Sequence, residues 1–255
     1  VNILYGSKVY GDMSRNNMWS QNSGTIAGAA EEGDKFGQVL AVGDFNGDRC
    51  MDLAVGTPLE DVNAGGGNQW LAGGVNIIYG SRSGLTNENN VWIGQNKLSH
   101  GEANTNDRFG SALAAGDFNG DGYDDLAIGI PYEDVDGVNG AGAVTIVPGS
   151  RNGLSLDDDV YFHQGTPGME GALRKGNAFG TSLVAGDFDG DGYDDLIVGM
   201  EYFSPPGLTH SGAILYVRGA AAFIDYTDSD LITQNTSWIG GQSADEYDYF
   251  GRALA

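Results

Sequence analysis

Cysteine is nearly absent. The chain of 255 residues has one, Cys50, so no disulfide framework within the chain holds it together. Basic residues are scarce too: 12 lysines and arginines face 35 aspartates and glutamates, for a net charge of −23. A surface of that sign repels phosphate backbones and anionic membranes, which argues against nucleic-acid binding. No apolar run approaches the roughly 20 residues needed to cross a bilayer, so direct membrane insertion is not expected. No long segment shows a helical apolar period. The three histidines, His100, His163 and His210, fall in different contexts without ligand spacing. No Gly-x-Ser-x-Gly elbow, phosphate loop or His-Glu-x-x-His helix is present, and no catalytic residue is assigned. No secretory leader is visible. The chain begins in Val1-Asn-Ile-Leu-Tyr5, which already reads as a strand, so a trimmed or partly represented precursor is expected.

What is plentiful is glycine, 43 residues without a collagen period, punctuating short apolar runs in a chain that is 40% hydrophobic. That composition predicts a real core and many tight turns. Phe-Gly pairs at Phe36-Gly37, Phe109-Gly110, Phe179-Gly180 and Phe250-Gly251 recur at intervals of 73, 70 and 71 residues. Each of the first three precedes an apolar run, an acidic loop and a second run: Leu53-Ala-Val-Gly56, Leu126-Ala-Ile-Gly129 or Leu196-Ile-Val-Gly199. Third strands are predicted at 74–80, 142–147 and 212–217, and fourth strands around Val91-Trp-Ile93, Val160-Tyr-Phe162 and Ser237-Trp-Ile239. Short β-branched and aromatic runs bounded by Gly, Asn, Asp and Pro are strand signals, and four strands per repeat is the grammar of a propeller blade. The expected fold is therefore all-β, a propeller of four-stranded blades forming one domain over 1–255. Its frame is a partial blade at 1–35, blades at 36–108, 109–178 and 179–249, and the start of another at 250–255. Gly6-Ser7-Lys8 echoes Gly80-Ser-Arg82 and Gly149-Ser-Arg151. Three complete and two partial blades leave edges uncovered, so further blades or further copies of the chain are expected partners.

The acidic loops carry the chemistry. Asp44, Asn46, Asp48, Cys50 and Asp52 occupy positions 1, 3, 5, 7 and 9 of the first; Asp117, Asn119, Asp121, Tyr123 and Asp125 those of the second; Asp187, Asp189, Asp191, Tyr193 and Asp195 those of the third. Oxygen side chains at 1, 3, 5 and 9, with the backbone carbonyl at 7, suit one hard cation. Without it the carboxylates repel. Three Ca2+ ions are expected, in a structural role, leaving a net charge of −17. These are not EF-hands, because position 12 is Val55, Ile128 or Val198 where a bidentate Glu is required. Arg49 stands at position 6 where the other loops have Gly, and a left-handed backbone there costs a side chain about 1 kcal/mol. Loop one is therefore expected to bind weakest, and loop three, with four carboxylates, tightest.

At Phe109-Gly110, Gly116-Asp-Phe-Asn-Gly-Asp-Gly-Tyr-Asp-Asp125 and Gly129-Ile-Pro131 the sequence resembles the FG-GAP repeats of the integrin α-subunit propeller, a resemblance that covers nearly the whole chain in frame. It implies a seven-bladed ring, calcium loops between strands one and two on the lower face, and ligands meeting the upper face. Glu201 stands where the pattern has Pro58 and Pro131, so blade three is expected to present a different upper surface. Candidate ligand-facing residues in the loops between strands two and three are Trp70, Glu60, Asp61, Glu133 and Asp134. Trp19, Trp92 and Trp238 are read as packing between blades. Asn235-Thr-Ser237 is a glycosylation sequon.

The function expected is an extracellular, calcium-stabilised binding and adhesion scaffold for a protein or glycan ligand, not an enzyme in itself. Two alternatives stay open: the non-catalytic propeller part of a secreted hydrolase or lyase, and a structural subunit of a surface assembly.

Overall fold

The structure, a computed structural model, describes residues 1–4, 16–24, 26–64, 67–240 and 243–254. Gly6-Ser7-Lys8 lies outside them. The alternation of apolar and small residues in the repeats becomes three antiparallel four-stranded sheets. The first orders β3 (Val39–Gly43), β4 (Asp52–Thr57), β7 (Gly74–Ile78) and β8 (Val91–Ile93). The second orders β9 (Ala112–Gly116), β10 (Asp125–Ile130), β11 (Ala143–Val147) and β12 (Val160–Phe162). The third orders β13 (Leu183–Gly186), β14 (Asp195–Met200), β15 (Ala213–Ala220) and β16 (Phe223–Ile232). A two-stranded sheet of β1 (Asn2–Leu4) and β2 (Asn16–Met18) precedes them, and a small hairpin, β5 (Val62–Ala64) with β6 (Gly67–Gln69), decorates the first. A single 3-10 turn at Gln95–Lys97 is the only helical element among the described residues. These sheets are propeller blades, and their first strands, β3, β9 and β13, lie side by side.

The core lies between sheets rather than within one. Side chains alternate across a strand, so Leu126, Ile128 and Ile130 of β10 pack with Ala54, Val75 and Ile77 of the preceding blade, while Ala127 faces Leu196, Val198 and Leu215 of the next. In the first two blades one face of the second strand is large and the other small, Ala54 with Gly56 and Ala127 with Gly129, whereas β14 has Ile197 beside Gly199. The Gly ending those two Leu-x-x-Gly runs completes the small face: a Cβ on Gly129 would collide with the carbonyl of Gly180, and one on Gly56 would sit 2.5 Å from that of Gly110. The Phe-Gly pairs at 109, 179 and 250 thus seat their glycines, Gly110, Gly180 and Gly251, on the second strand of the preceding blade. Phe109 and Phe179 are fully buried in the two inter-blade cores, in agreement with a packing role.

Blade three differs from the sequence reading. Its fourth strand is not around Trp238 but at Phe223–Ile232, paired with β15 through a two-residue turn at Ala221-Ala222. The third-to-fourth connections of the other two blades each run to twelve residues. Trp238 falls after the strand and is 67% exposed, whereas Trp19 is buried, so packing between blades holds for Trp19 but not for Trp238. The better frame marker is the glutamine two residues past the strand-four pairing position: Gln95 after Ile93, Gln164 after Phe162 and Gln234 after Ile232. A Trp match misled because strand four tolerates Trp92, Tyr161 or Leu231 alike.

Candidate metal loops and the opposite face

Each acidic loop joins strands one and two of its blade, and its fold is set by backbone amides pointing at carboxylates. In loop two, Asp121 N–H donates to Asp117 Oδ1 (3.0 Å) and Asn119 Oδ1 (2.8 Å), Gly122 N–H to Asp117 Oδ2 (2.9 Å), and Tyr123 N–H to Asp121 Oδ1 (3.0 Å). Loop one repeats this pattern through Asp44, Asn46 and Asp48. Arg49 adopts φ 68°, the left-handed region that Gly122 (90°) and Gly192 (96°) occupy in its sisters, as its position required.

The position-9 aspartates are fully buried anchors. Asp125 accepts from Phe118 N–H (3.1 Å) and from Gly149 N–H (2.8 Å) at the end of strand three. Asp52 does the same with Phe45 and Gly80, and Asp195 with Phe188 and Gly219. The glycine after strand three is required by close approach instead: a Cβ on Gly80, Gly149 or Gly219 would collide with the carbonyl oxygen of Met51, Asp124 or Asp194 respectively. Burial drives the carboxyl of Asp125 up to about 7 against the opposing pull of the Gly149 amide, helped by the neighbouring Asp121 and Asp117 charges. Burial likewise drives Asp52 to about 6. In loop three, carboxylate oxygens of Asp187, Asp189 and Asp195 lie within 4.8 Å of one another. Hard oxygen donors gathered this closely, with buried carboxyls strained toward protonation, fit a hard dication. Of the fifteen residues expected to serve the three loops, those at positions 1, 3, 5 and 9 would offer side-chain oxygens to such an ion, and Cys50, Tyr123 and Tyr193 would offer position-7 carbonyls.

Two features escaped the sequence reading. The position-8 aspartate ties each loop to the one before: Asp44 N–H donates to Asp124 Oδ2 (2.7 Å), and Asp117 N–H to Asp194 Oδ2 (2.9 Å). The Asp-Asp doublets at 124–125 and 194–195, replaced by Met51-Asp52 in loop one, were the available signal. The position-7 tyrosines also do more than offer a carbonyl. A Cβ on Gly47 would sit 2.6 Å from the Tyr123 ring, and one on Gly120 2.8 Å from the Tyr193 ring, so each tyrosine lies on the glycine of the preceding loop.

The opposite face is built from the strand-two-to-three loops and the inter-blade connections. Glu60 and Glu133, expected to face a ligand, are instead buried between blades. Glu60 accepts from Gln21 Nε2 and Glu133 from Gln95 Nε2, both at 2.7 Å. A carboxyl removed from water needs such a donor, and Gln21 and Gln95 supply it, whereas Gln164 accepts from Asn177 Nδ2 instead. Burial raises Glu60 to about 7; burial, with the Glu133 charge adding to it, raises the neighbouring Asp107, and burial, with the Asp134 charge adding to it, raises Glu133 against the pull of its Gln95 hydrogen bond. Asp61 accepts from Leu71 N–H (2.8 Å), and Asp134 from Gly140 N–H (2.7 Å) and Asn139 Nδ2 (2.9 Å). Trp70, at the end of β6, is 59% exposed.

Blade three adds an aromatic cluster on this face. Ring centroids of Tyr202 and His210 are 5.1 Å apart, His210 and Tyr247 5.7 Å, and Tyr202 and Tyr249 6.0 Å. Arg252 lies over Tyr249 and pairs with Glu201 at 3.4 Å. Ser99, His100 and Asp159 also meet, but not as a catalytic relay. Ser99 Oγ donates directly to Asp159 Oδ1 (2.5 Å), and one ring nitrogen, His100 Nδ1, faces both Ser99 Oγ and Asp159 Oδ2. Nucleophilic activation needs the second nitrogen on the serine; this cluster is a clasp between a loop and the next blade.

Comparison with known proteins follows the same frame. The FG-GAP repeat profile matches residues 36–69, 109–147 and 179–217. Integrin alpha-PS2 of Drosophila melanogaster is 36% identical over 186 residues, covering 72% of this chain and 12% of that protein. Integrin alpha-PS5 of the same fly is 31% identical over 66% of this chain and 15% of its own length. Phosphatidylinositol-glycan-specific phospholipase D of Rattus norvegicus is 30% identical over 227 residues, 86% of this chain and 24% of that protein. The chain thus spans about a quarter or less of the length of these relatives.

Proposed function

Since the chain belongs to the FG-GAP repeat family, we propose that it is a calcium-stabilised extracellular scaffold that recognises a protein or glycan through the face opposite its acidic loops. The observation that carries the calcium reading is the convergence of Asp187, Asp189 and Asp195 oxygens within 4.8 Å, in a loop that recurs in frame in three blades. Asp44, Asn46, Asp48, Asp52 and the Cys50 carbonyl would hold one ion, and the corresponding residues of loops two and three the others. A dication there neutralises the crowded carboxylates and clamps strands one and two, adding its binding free energy to folded-state stability. Extracellular modules of this affinity class fill at about millimolar calcium. In excess chelator the melting temperature is expected to fall substantially and to recover on adding calcium but not magnesium. An unchanged melt in chelator overturns the reading.

Recognition is assigned to Trp70, with Asp61, Asp134 and the blade-three aromatic cluster on the same face; Glu60 and Glu133 support that face from within. A glycan array and protein-binding screen, repeated with Trp70→Ala, tests the assignment. Loss of binding supports it, and retention of every interaction removes Trp70 from the site.

A second reading rests on the phospholipase D relative, which matches more of this chain than either integrin. In it these blades are the non-catalytic part of a secreted hydrolase, with the same calcium loops and the same melt.

A further inference from the structure

The residue that precedes the strand-three glycine is uncharged in two blades, Tyr79 before Gly80 and Pro148 before Gly149, but is Arg218 before Gly219 in the third. All three glycines donate to the position-9 aspartate of their loop, so Arg218 is held at the rim of loop three by the register of its sheet. The bulge between Val217 and Arg218 and the long β15–β16 hairpin bring Asp228 and Asp230 to the same place. Arg218 Nη1 contacts Asp228 Oδ1 at 3.1 Å, Nη2 contacts Asp230 Oδ2 at 3.2 Å, and Nε reaches Asp189 Oδ2 at 3.6 Å. The guanidinium is stacked over the Tyr216 ring at 4.6 Å, and the Tyr216 hydroxyl donates to Asp195 Oδ2 (2.7 Å). The other oxygen of Asp189 accepts from Asp191 N–H (3.1 Å). Both oxygens of a position-3 ligand are thus engaged, one of them by a cation.

We infer that Arg218 is a resident counter-cation of loop three that competes with the metal for Asp189, and that filling the loop shifts the guanidinium wholly onto Asp228 and Asp230. The inference rests on the calcium reading above. Two cations at one carboxylate repel, and a guanidinium cannot deprotonate to make way. Asp228 and Asp230 supply the alternative partner. Loop three then binds more weakly than its four carboxylates dictate, and its occupancy is linked to the order of the β15–β16 hairpin, a coupling that loops one and two lack. This reverses the expectation that loop three binds tightest because it has the most charge.

Calcium isotherms of the full chain, by calorimetry and by terbium luminescence sensitised through tyrosine, test this, with the loop-three step identified as the one lost in Asp187→Asn. Arg218→Gln should tighten that step about three- to tenfold and leave the other two in place. Arg218→Lys, which keeps the charge but loses the fork, should tighten it less. Asp228→Asn with Asp230→Asn should weaken it in the parent and weaken it less in the Arg218→Gln background, the non-additivity expected of a shared partner. Unchanged or weaker binding in Arg218→Gln overturns the inference alone, as does additivity of the two sets. A chain that binds no calcium at all overturns the calcium reading, and this inference with it.

Discussion

At the scale of single residues, buried acids decide more than exposed ones. Glu60 is held between blades by Gln21, and its carboxyl keeps its proton up to about 7 because burial penalises the charge. An unfolded glutamate titrates at about 4.3. Between those values the folded state binds more protons than the unfolded one, so this group's contribution falls as pH rises from about 4.3 to about 7. Glu60→Gln removes that titration while retaining an acceptor for Gln21. In saturating calcium, the variant's melting temperature should gain on the parent's between pH 5 and pH 8. A difference that stays constant across that range contradicts the assignment. The same logic explains why a sequence reading placed Glu60 and Glu133 on a binding surface: acidity signals exposure, and only the neighbouring blade reveals the buried partner.

At the scale of elements, each blade is completed by its neighbour. The phenylalanine at position 2 of the loop shows this most simply. Phe45 and Phe118 are fully buried against the following blade, whereas Phe188, in the last described sheet, is 52% exposed. Phe118→Ala should cost about 3–5 kcal/mol and Phe188→Ala about 1 kcal/mol or less, measured by denaturant unfolding of the same chain. Equal losses would mean that position 2 acts within its own loop rather than between blades. Blade three is also where the repeat breaks. A two-residue turn in place of a long connection moved strand four toward the N-terminus, and the register of pairing, not the tryptophan match, set its position.

At the scale of the whole molecule, the loops, anchors and clasps form one connected system. Each position-1 amide of loops one and two is tied to the position-8 carboxylate of the next loop, and each position-9 carboxylate to its own strand three. Removing cations from a chain of net charge −23 releases like charges at linked points, so the expected effect of chelation is on the melt of the blades together. The two faces differ in chemistry: the loop carboxylates gather on one, and Trp70 with the Tyr202, His210, Tyr247 and Tyr249 cluster lies on the other.

The sequence by itself determined the repeat, the all-β class, the position of each acidic loop between strands one and two, and the left-handed backbone at Arg49. Those properties are local: they follow from spacing within a few residues and from the steric limits of a single backbone. Tertiary structure alone decided which acids are buried, which tyrosines lie on a neighbouring loop, where strand four of blade three runs, and that Arg218 meets Asp189. Each of these depends on a partner tens of residues away, brought close by sheet register and blade stacking. No spacing rule along the chain encodes that proximity.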